Sequence, residues 1–284
     1  MSSRKITYRF GQSSLTAEES LADIDIHFQP ICEVDEEPVI IGFEALGRKT
    51  SIIGTQSIAP YIDEIHAMGL RPELELRTLE KACRFLQDCD RMLQTDQANN
   101  LYVTVNLHPL TLMQPDLLQE IDKAIASYPA ARSRIRFEIL EHEFPEGTED
   151  QILENVMTLN ESGYRLYLDD YGDHPGQDED RLETMKPFIH GIKLSGSLWQ
   201  RSSEGQESLL DYVASPDLSD KVIIVEGIED DEQLERVKAL QDLYGFDRVL
   251  GQGWHPSLGA SLSHADAILR LQEQTLSVPL KEYN

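Results

Sequence analysis

Seven apolar runs in this chain of 284 residues each end on a side chain that can hold a metal ion or move a proton. Val39-Ile40-Ile41-Gly42-Phe43 ends on Glu44, Leu101 to Val105 ends on Asn106, and Ile135-Arg136-Phe137 ends on Glu138. Tyr164 to Leu168 ends on the pair Asp169-Asp170, Ile189 to Ile192 on Lys193, Val222 to Val225 on Glu226, and Arg248 to Gly251 on Gln252. Glu141 and Glu229 follow shortly after the third and sixth of these runs. A carboxylate pair at the exit of a buried strand is costly unless something cationic sits against it. The candidates are a metal, an Arg or a Lys. From Asp169 and Asp170 alone, a strand end running into a solvated acidic loop is an equal alternative.

The spacing of the other runs bears on that choice. Asn106, Glu138, Asp169, Lys193, Glu226 and Gln252 follow one another at intervals of 32, 31, 24, 33 and 26 residues. That is the length of a strand–helix unit, so each unit delivers one polar group at the same end of its strand. Parallel strands closed into a βα barrel gather those ends at one mouth, where such barrels keep their chemistry. The expected fold class is therefore α/β, a TIM-like (β/α)8 barrel.

Length and composition agree with one such domain. A barrel of this kind takes about 250 residues, and 40% apolar content suffices for one large core. Residues 1–20 are polar and read as a tail, 21–275 as the barrel domain, and 276–284 as a C-terminal tail. The basic start Met1-Ser2-Ser3-Arg4-Lys5 is followed by no apolar segment of a secretory signal. No stretch approaches the roughly 20 apolar residues that span a bilayer. Cys32, Cys83 and Cys89 have neither zinc spacing nor an evident pairing, so reduced thiols and a cytoplasmic location are expected. A formal net charge of −26 argues against nucleic-acid polymers and anionic membranes as partners. An anionic substrate would need local cations to be held.

The elements that must position the polar groups follow in order. Ile24 to Ile31 alternates as a first strand and Val39 to Leu46 forms a second. The short turn Asp35-Glu36-Glu37-Pro38 between them makes the two a hairpin rather than a parallel pair. Helices are expected at Ile58 to Met68, Pro72 to Leu86, Asp116 to Ala126 and Glu149 to Glu161, with strands at Leu101 to Leu107, Arg134 to Leu140 and Tyr164 to Asp169. Asp173 to Asp180 reads as a loop, followed by a short helix at Leu182 to Met185. Strands Ile189 to Leu194, Lys221 to Val225 and Arg248 to Gln252 alternate with helices near Glu207 to Val213, Asp231 to Leu240 and Ser263 to Glu273.

The same residues resemble a known family. Phe43-Glu44-Ala45-Leu46-Gly47-Arg48 is similar to the signature that names the EAL domain, the bacterial phosphodiesterase of cyclic di-GMP. Phe28-Gln29-Pro30-Ile31 resembles that family's aromatic-Gln-Pro-Ile strand, Val105-Asn106-Leu107 its Val-Asn-Leu, and Asp169-Asp170-Tyr171-Gly172 its Asp-Asp-Phe-Gly. Ile192-Lys193-Leu194 resembles its Ile-Lys-Ile, Val225-Glu226-Gly227-Ile228-Glu229 its Ala-Glu-Gly-Val-Glu, and Gln252-Gly253-Trp254 its Gln-Gly-Tyr. A lone Glu-Ala-Leu means little, whereas seven motifs in order, from Ile24 to Ser257, are specific. The family fold is a βα barrel with one antiparallel strand near its start, which accounts for the hairpin.

The resemblance implies a two-metal hydrolase. Glu44, Asn106, Glu138 and Asp169 would hold one divalent cation and Asp169 with Asp170 a second. Oxygen donors of this kind suit Mg²⁺ or Mn²⁺. Lys193, Glu226 and Glu229 would be the catalytic or supporting groups. Gln29, Leu46, Arg48 and Gln252 would hold cyclic di-GMP, Arg48 through a phosphate. Glu141 would anchor the loop after Asp169-Asp170, and the product would be linear pGpG. Dimerisation and a protein partner both stay open.

Departures from the family pattern gather around that loop. The family's Thr-Gly-Tyr-Ser-Ser-Leu after Asp-Asp-Phe-Gly is replaced by Asp173-His174-Pro175-Gly176-Gln177-Asp178. Thr is lost from Glu138-Ile139-Leu140-Glu141, and the Asp after Ile-Lys-Ile is Ser195. Supporting groups are worth about 10- to 100-fold in metal affinity or activity. An EAL-type domain that binds cyclic di-GMP without turnover, or serves as a protein-interaction module, is therefore the alternative to hydrolysis. For Lys193 the alternative is a metal-free ion cluster with the acids around it.

Overall fold

The computed structural model describes residues 21–51, 54–93, 100–203 and 209–277. The polar tail expected at 1–20 lies outside them, as do residues 278–284 of the tail expected at 276–284, whose first two residues instead end the last helix, and part of the segment expected to be helical near Glu207. The strands are β1 (Ile24–Glu33), β2 (Val39–Ser51), β3 (Gly54–Ser57), β4 (Tyr102–Leu107), β5 (Ile135–Ile139), β6 (Arg165–Tyr171), β7 (Gly191–Leu194), β8 (Val222–Val225) and β9 (Val249–Gly251). They lie in the order β1-β9-β8-β7-β6-β5-β4-β2, and β1 also pairs with β2, which closes the ring into a barrel. β2 and β4 through β9 run parallel, while β1 is antiparallel to both neighbours. This is the TIM-like barrel with one reversed strand that the sequence leads one to expect. β3 folds back on the far end of β2 and was not foreseen.

Strand side chains alternate between faces with period two, and that alternation decides what fills the barrel. Tyr102, Thr104 and Asn106 share one face of β4, as do Arg136 and Glu138 on β5 and Tyr167 and Asp169 on β6. At the floor, Tyr102 and Tyr167 are buried with Ile31, Ile224 and Leu250. The Arg136 guanidinium lies 3.2 Å from the centre of the Tyr102 ring and donates to the Tyr167 hydroxyl at 2.8 Å. Glycines make room for these rings. A Cβ at Gly42 would stand 2.5 Å from the Tyr102 ring, and one at Gly191 would stand 2.5 Å from Tyr167. Bulky floor residues leave the polar groups of the next layer stacked above them, at the mouth.

The opposite strand faces pack outward against helices in one large apolar cluster. Phe28 of β1 stacks on Phe85 with centroids 4.0 Å apart. The helix carrying Phe85 runs Arg71–Leu93, a turn or more beyond the expected end at Leu86. A second difference matters more. The segment expected to be a loop at Asp173 to Asp180 is largely helical, in a helix Pro175–Met185. Pro175 stands at the first helical turn, where its fixed φ is favourable and its missing N–H costs nothing. Asp178 follows in that turn, where a carboxylate complements the helix dipole. Counting Gly and Pro as loop signals hid this start.

Candidate active site

At the mouth the strands deliver their polar groups to a single ammonium. Lys193 Nζ, on β7, lies 3.1 Å from Glu44 Oε2, 3.1 Å from Glu138 Oε2, 3.1 Å from Asp169 Oδ1 and 2.8 Å from Glu226 Oε1. Lys193 is 1% exposed and Glu138 fully buried. Asn106 Nδ2 donates to Glu44 Oε1 at 3.0 Å, and Gln252 Nε2 donates to Glu44 Oε2 at 2.7 Å. Glu44, Asn106, Glu138, Asp169, Lys193, Glu226 and Gln252, from seven strands, thus meet in one place.

Charge does not balance there. Four carboxylates face one lysine. Burial alone would depress the Lys193 ammonium, but the surrounding acids outweigh it and raise it well above its ordinary value. Burial raises Glu138 and Glu226 well above the usual carboxylate range despite Lys193 beside them, and raises Asp169 likewise. Burial pushes Glu44 the same way, but Lys193, Gln252 and Asn106 together hold it below its ordinary value. Meanwhile, among the described residues, Asn106 Oδ1 and Glu138 Oε1 are buried acceptors without a hydrogen-bond partner. Surplus negative charge and orphaned oxygen donors are what a hard divalent cation would satisfy. The donor set fits Mg²⁺ or Mn²⁺.

A second group of acids adjoins the first. Glu141, Asp169 and Asp170 each bring a carboxylate oxygen to within 4.8 Å of the others. Burial, then Asp169 and Glu141, push the Asp170 carboxyl up to about 7. Asp170 also has φ +48°, the left-handed region that Asp tolerates better than most residues. Gly172 follows with φ +103°, where a Cβ would stand 3.0 Å from Leu198. This sharp turn aims Asp169 and Asp170 at the mouth. Among the described residues Glu141 makes no hydrogen bond to the following loop. His142 Nδ1 lies 3.4 Å from its Oε1.

The residues assigned to substrate are placed less uniformly. Gln29 stands opposite Glu44 in the β1–β2 ladder, half-buried. Glu44, Leu46 and Arg48 share one face of β2 in ascending order toward the rim. The Arg48 guanidinium is held by Ser261 Oγ, at 3.1 Å from Nε and 2.8 Å from Nη2, and it donates to the Gly47 carbonyl. Gln252 is buried against Glu44 and so supports the acid cluster directly. Glu229 is exposed, and among the described residues only its backbone N–H is tied down, to Gln233 Oε1. The structure does not bring its carboxylate to the cluster.

Other contacts escaped the sequence reading. Trp199 Nε1 donates to the Glu226 carbonyl at 2.8 Å. Buried Glu75 accepts from the His108 N–H at 3.1 and 3.2 Å, fixing the chain two residues past Asn106. Asp178 and Arg181 form a buried ion pair under the Asp169-Asp170 turn. Their spacing is a helical i, i+3 pair, a signal readable only once Pro175 is recognised as a helix start.

Comparison with known proteins agrees with this architecture. A family model described as EAL domain matches residues 14–256. Among solved structures, the EAL enzyme Bd1971 with cAMP and cyclic-di-GMP bound superposes with a TM-score of 0.72 at 20% identity, covering 89% of this chain. This chain spans 65% of that one. The PaMucR phosphodiesterase in complex with c-di-GMP gives 0.69 at 19% identity, over 87% of this chain and 95% of that chain. The EAL domain of Mycobacterium smegmatis DcpA gives 0.63 at 16% identity, over 88% of this chain and 98% of that chain. No curated protein sequence matches.

Proposed function

The chain belongs to the EAL domain family, and on that premise we propose that it hydrolyses cyclic di-GMP to linear pGpG in a metal-dependent reaction at the barrel mouth. The observation that carries the reading is the convergence of four carboxylates on Lys193, three of them buried and Glu226 partly so, with the Asn106 Oδ1 and Glu138 Oε1 oxygens left unpartnered beside them among the described residues. Relatives of the same fold have been solved with cyclic di-GMP bound. Glu44, Asn106, Glu138 and Asp169 would hold one Mg²⁺ or Mn²⁺, and Asp169 with Asp170 a second. Such ions supply an activated water and neutralise charge on the scissile phosphate.

The chain's own groups do the rest. Glu226, whose carboxyl burial raises well above the usual carboxylate range, stands beside Lys193 at the mouth and is the group placed to accept the water's proton. Lys193 stays charged and offsets negative charge developing on the phosphate. Gln252 and Asn106 fix the two oxygens of Glu44. Gln29, Leu46 and Arg48 line the approach on β1 and β2, Arg48 reaching a phosphate from its place beside Ser261. Glu229 would support the site only from the exposed loop it occupies.

Incubating the purified protein with cyclic di-GMP and Mg²⁺ or Mn²⁺, beside Glu44→Ala, tests this reading. Wild type is expected to release pGpG and the variant to lose at least about 100-fold in turnover. Tight nucleotide binding without product would make the protein a receptor. Neither binding nor product would overturn the reading altogether.

A further inference from the structure

The turn that presents Asp169 and Asp170 is held from below by a pair of residues absent from the ligand set. Asp178, 2% exposed, accepts the Gly172 N–H at 2.9 Å and the His174 N–H at 3.0 Å through one oxygen. Its other oxygen accepts from Arg181 Nη1 at 3.0 Å. Arg181, 8% exposed, then reaches across two strands. It donates to the Ile139 carbonyl at 3.1 Å and, from both terminal nitrogens, to the Asp169 carbonyl at 3.4 Å. One guanidinium therefore ties the chain just past Glu138 to the backbone of Asp169. One carboxylate ties the residues on either side of Asp173 to that guanidinium.

We infer that Asp178 and Arg181 are positioning residues that set the backbone of Asp169 and Asp170 for cation binding, the task the family resemblance gives to Glu141. This inference rests on the metal-dependent reading above. Three features support it. Breaking a buried pair on one side leaves an uncompensated charge, so the pair is rigid. Arg's planar fork serves several acceptors at once, which a Lys ammonium does with less directional control. Left-handed backbone at Asp170 is unfavourable and persists only where the surroundings impose it. Glu141, relieved of the anchoring contact, stands instead with Asp169 and Asp170.

Mn²⁺ titration of the nucleotide-free protein tests the inference, using wild type, Arg181→Met, Arg181→Lys and Asp178→Asn, with free Mn²⁺ followed by electron paramagnetic resonance. Arg181→Met is expected to weaken Mn²⁺ binding about 10-fold or more, with Arg181→Lys recovering part of the loss. In turnover the same variants should lose kcat and need more Mn²⁺ for half activation, with KM for the dinucleotide unchanged. Should Arg181→Met not fold, Arg181→Lys and Asp178→Asn carry the same comparison. Variants that melt earlier yet bind Mn²⁺ as wild type does would overturn the inference, since a merely structural pair moves only the melting temperature. Because Mn²⁺ binding is read without turnover, an inactive wild type that still loses Mn²⁺ affinity on substitution would sink the hydrolase reading alone. A wild type that binds no Mn²⁺ would overturn both.

Discussion

Asp170 shows how one side chain couples stability to pH. Its carboxyl is pushed up to about 7 by burial and by Asp169 and Glu141. In the unfolded chain it ionises near 4, at its ordinary value. Between those values the folded state holds the extra proton, so folding gains stability as pH falls through the upper value and loses it as pH rises past it. Glu75, pushed to about 7 chiefly by burial, acts with the same sign. The metal-free protein is therefore expected to be less stable at about pH 8 than at about pH 6. Mn²⁺ favours the ionised carboxylates, so its stabilising effect should grow over the same interval. Asp170→Asn should shrink the pH dependence while leaving the part due to Glu75 and to the raised carboxyls of Glu138 and Glu226. Urea midpoints at both pH values, with and without Mn²⁺, measure this; a Mn²⁺ effect that shrinks with rising pH would contradict it.

Elements decide which of these residues could be read in advance. Glu44, Asn106, Glu138, Asp169, Lys193, Glu226 and Gln252 were legible because each ends a short apolar run, and such a run and its exit are local properties of the sequence. Arg181 and Asp178 were not, because Arg181 reaches backbone carbonyls of β5 and β6 and Asp178 reads as a partner for it only once the helix starting at Pro175 is recognised. Asp173 and Ser195 are more instructive. Against the family pattern each looks like a loss, Thr replaced in one place and Asp in the other. In the fold they meet: Asp173 Oδ1 accepts from Ser195 Oγ at 2.8 Å and also from Ser197 Oγ. Carboxylate and hydroxyl stand on opposite sides from the family pattern, and here they join the β6 turn to the end of β7. Asp173→Thr alone should lower turnover, as should Ser195→Asp, which sets two carboxylates face to face. The double variant should recover most of the loss. Pairwise coupling of about 0.5–3 kcal/mol is usual for residues in contact, and additive losses would show that the two positions do not act together.

The whole molecule carries its charge against its proposed ligand. With a formal net charge of −26, the long-range field repels a dianionic dinucleotide, and only the mouth, once cations are held there, attracts it. Salt screens the long-range part most, since exposed charges are cut off beyond about 10 Å at 0.1 M ionic strength. Raising NaCl from about 0.02 M to about 0.2 M is accordingly expected to increase kcat/KM at saturating Mn²⁺. A fall would place the dominant field at the mouth instead. Barrel and ring closure were legible at this scale from the 24- to 33-residue intervals between strand ends. The floor was not: Tyr102, Arg136 and Tyr167 became a stack only when three separate strands were brought side by side.

The reversed first strand has a practical side. Ile24 pairs with Lys49 and Glu33 with Val39, so the described chain enters the barrel at the rim beside Arg48 and runs down toward the floor. The last helix, His264–Ser277, meets the opposite end, where Gln274 exchanges hydrogen bonds with the backbone of Ile40. Entry and exit therefore lie at opposite poles. A tether, fluorophore or surface held at the start of β1 stands at the rim of the mouth and crowds whatever must pass, whereas one held at the end of the last helix leaves that doorway facing solution. Immobilised assays and fusion designs for this domain should be anchored from the C-terminal side.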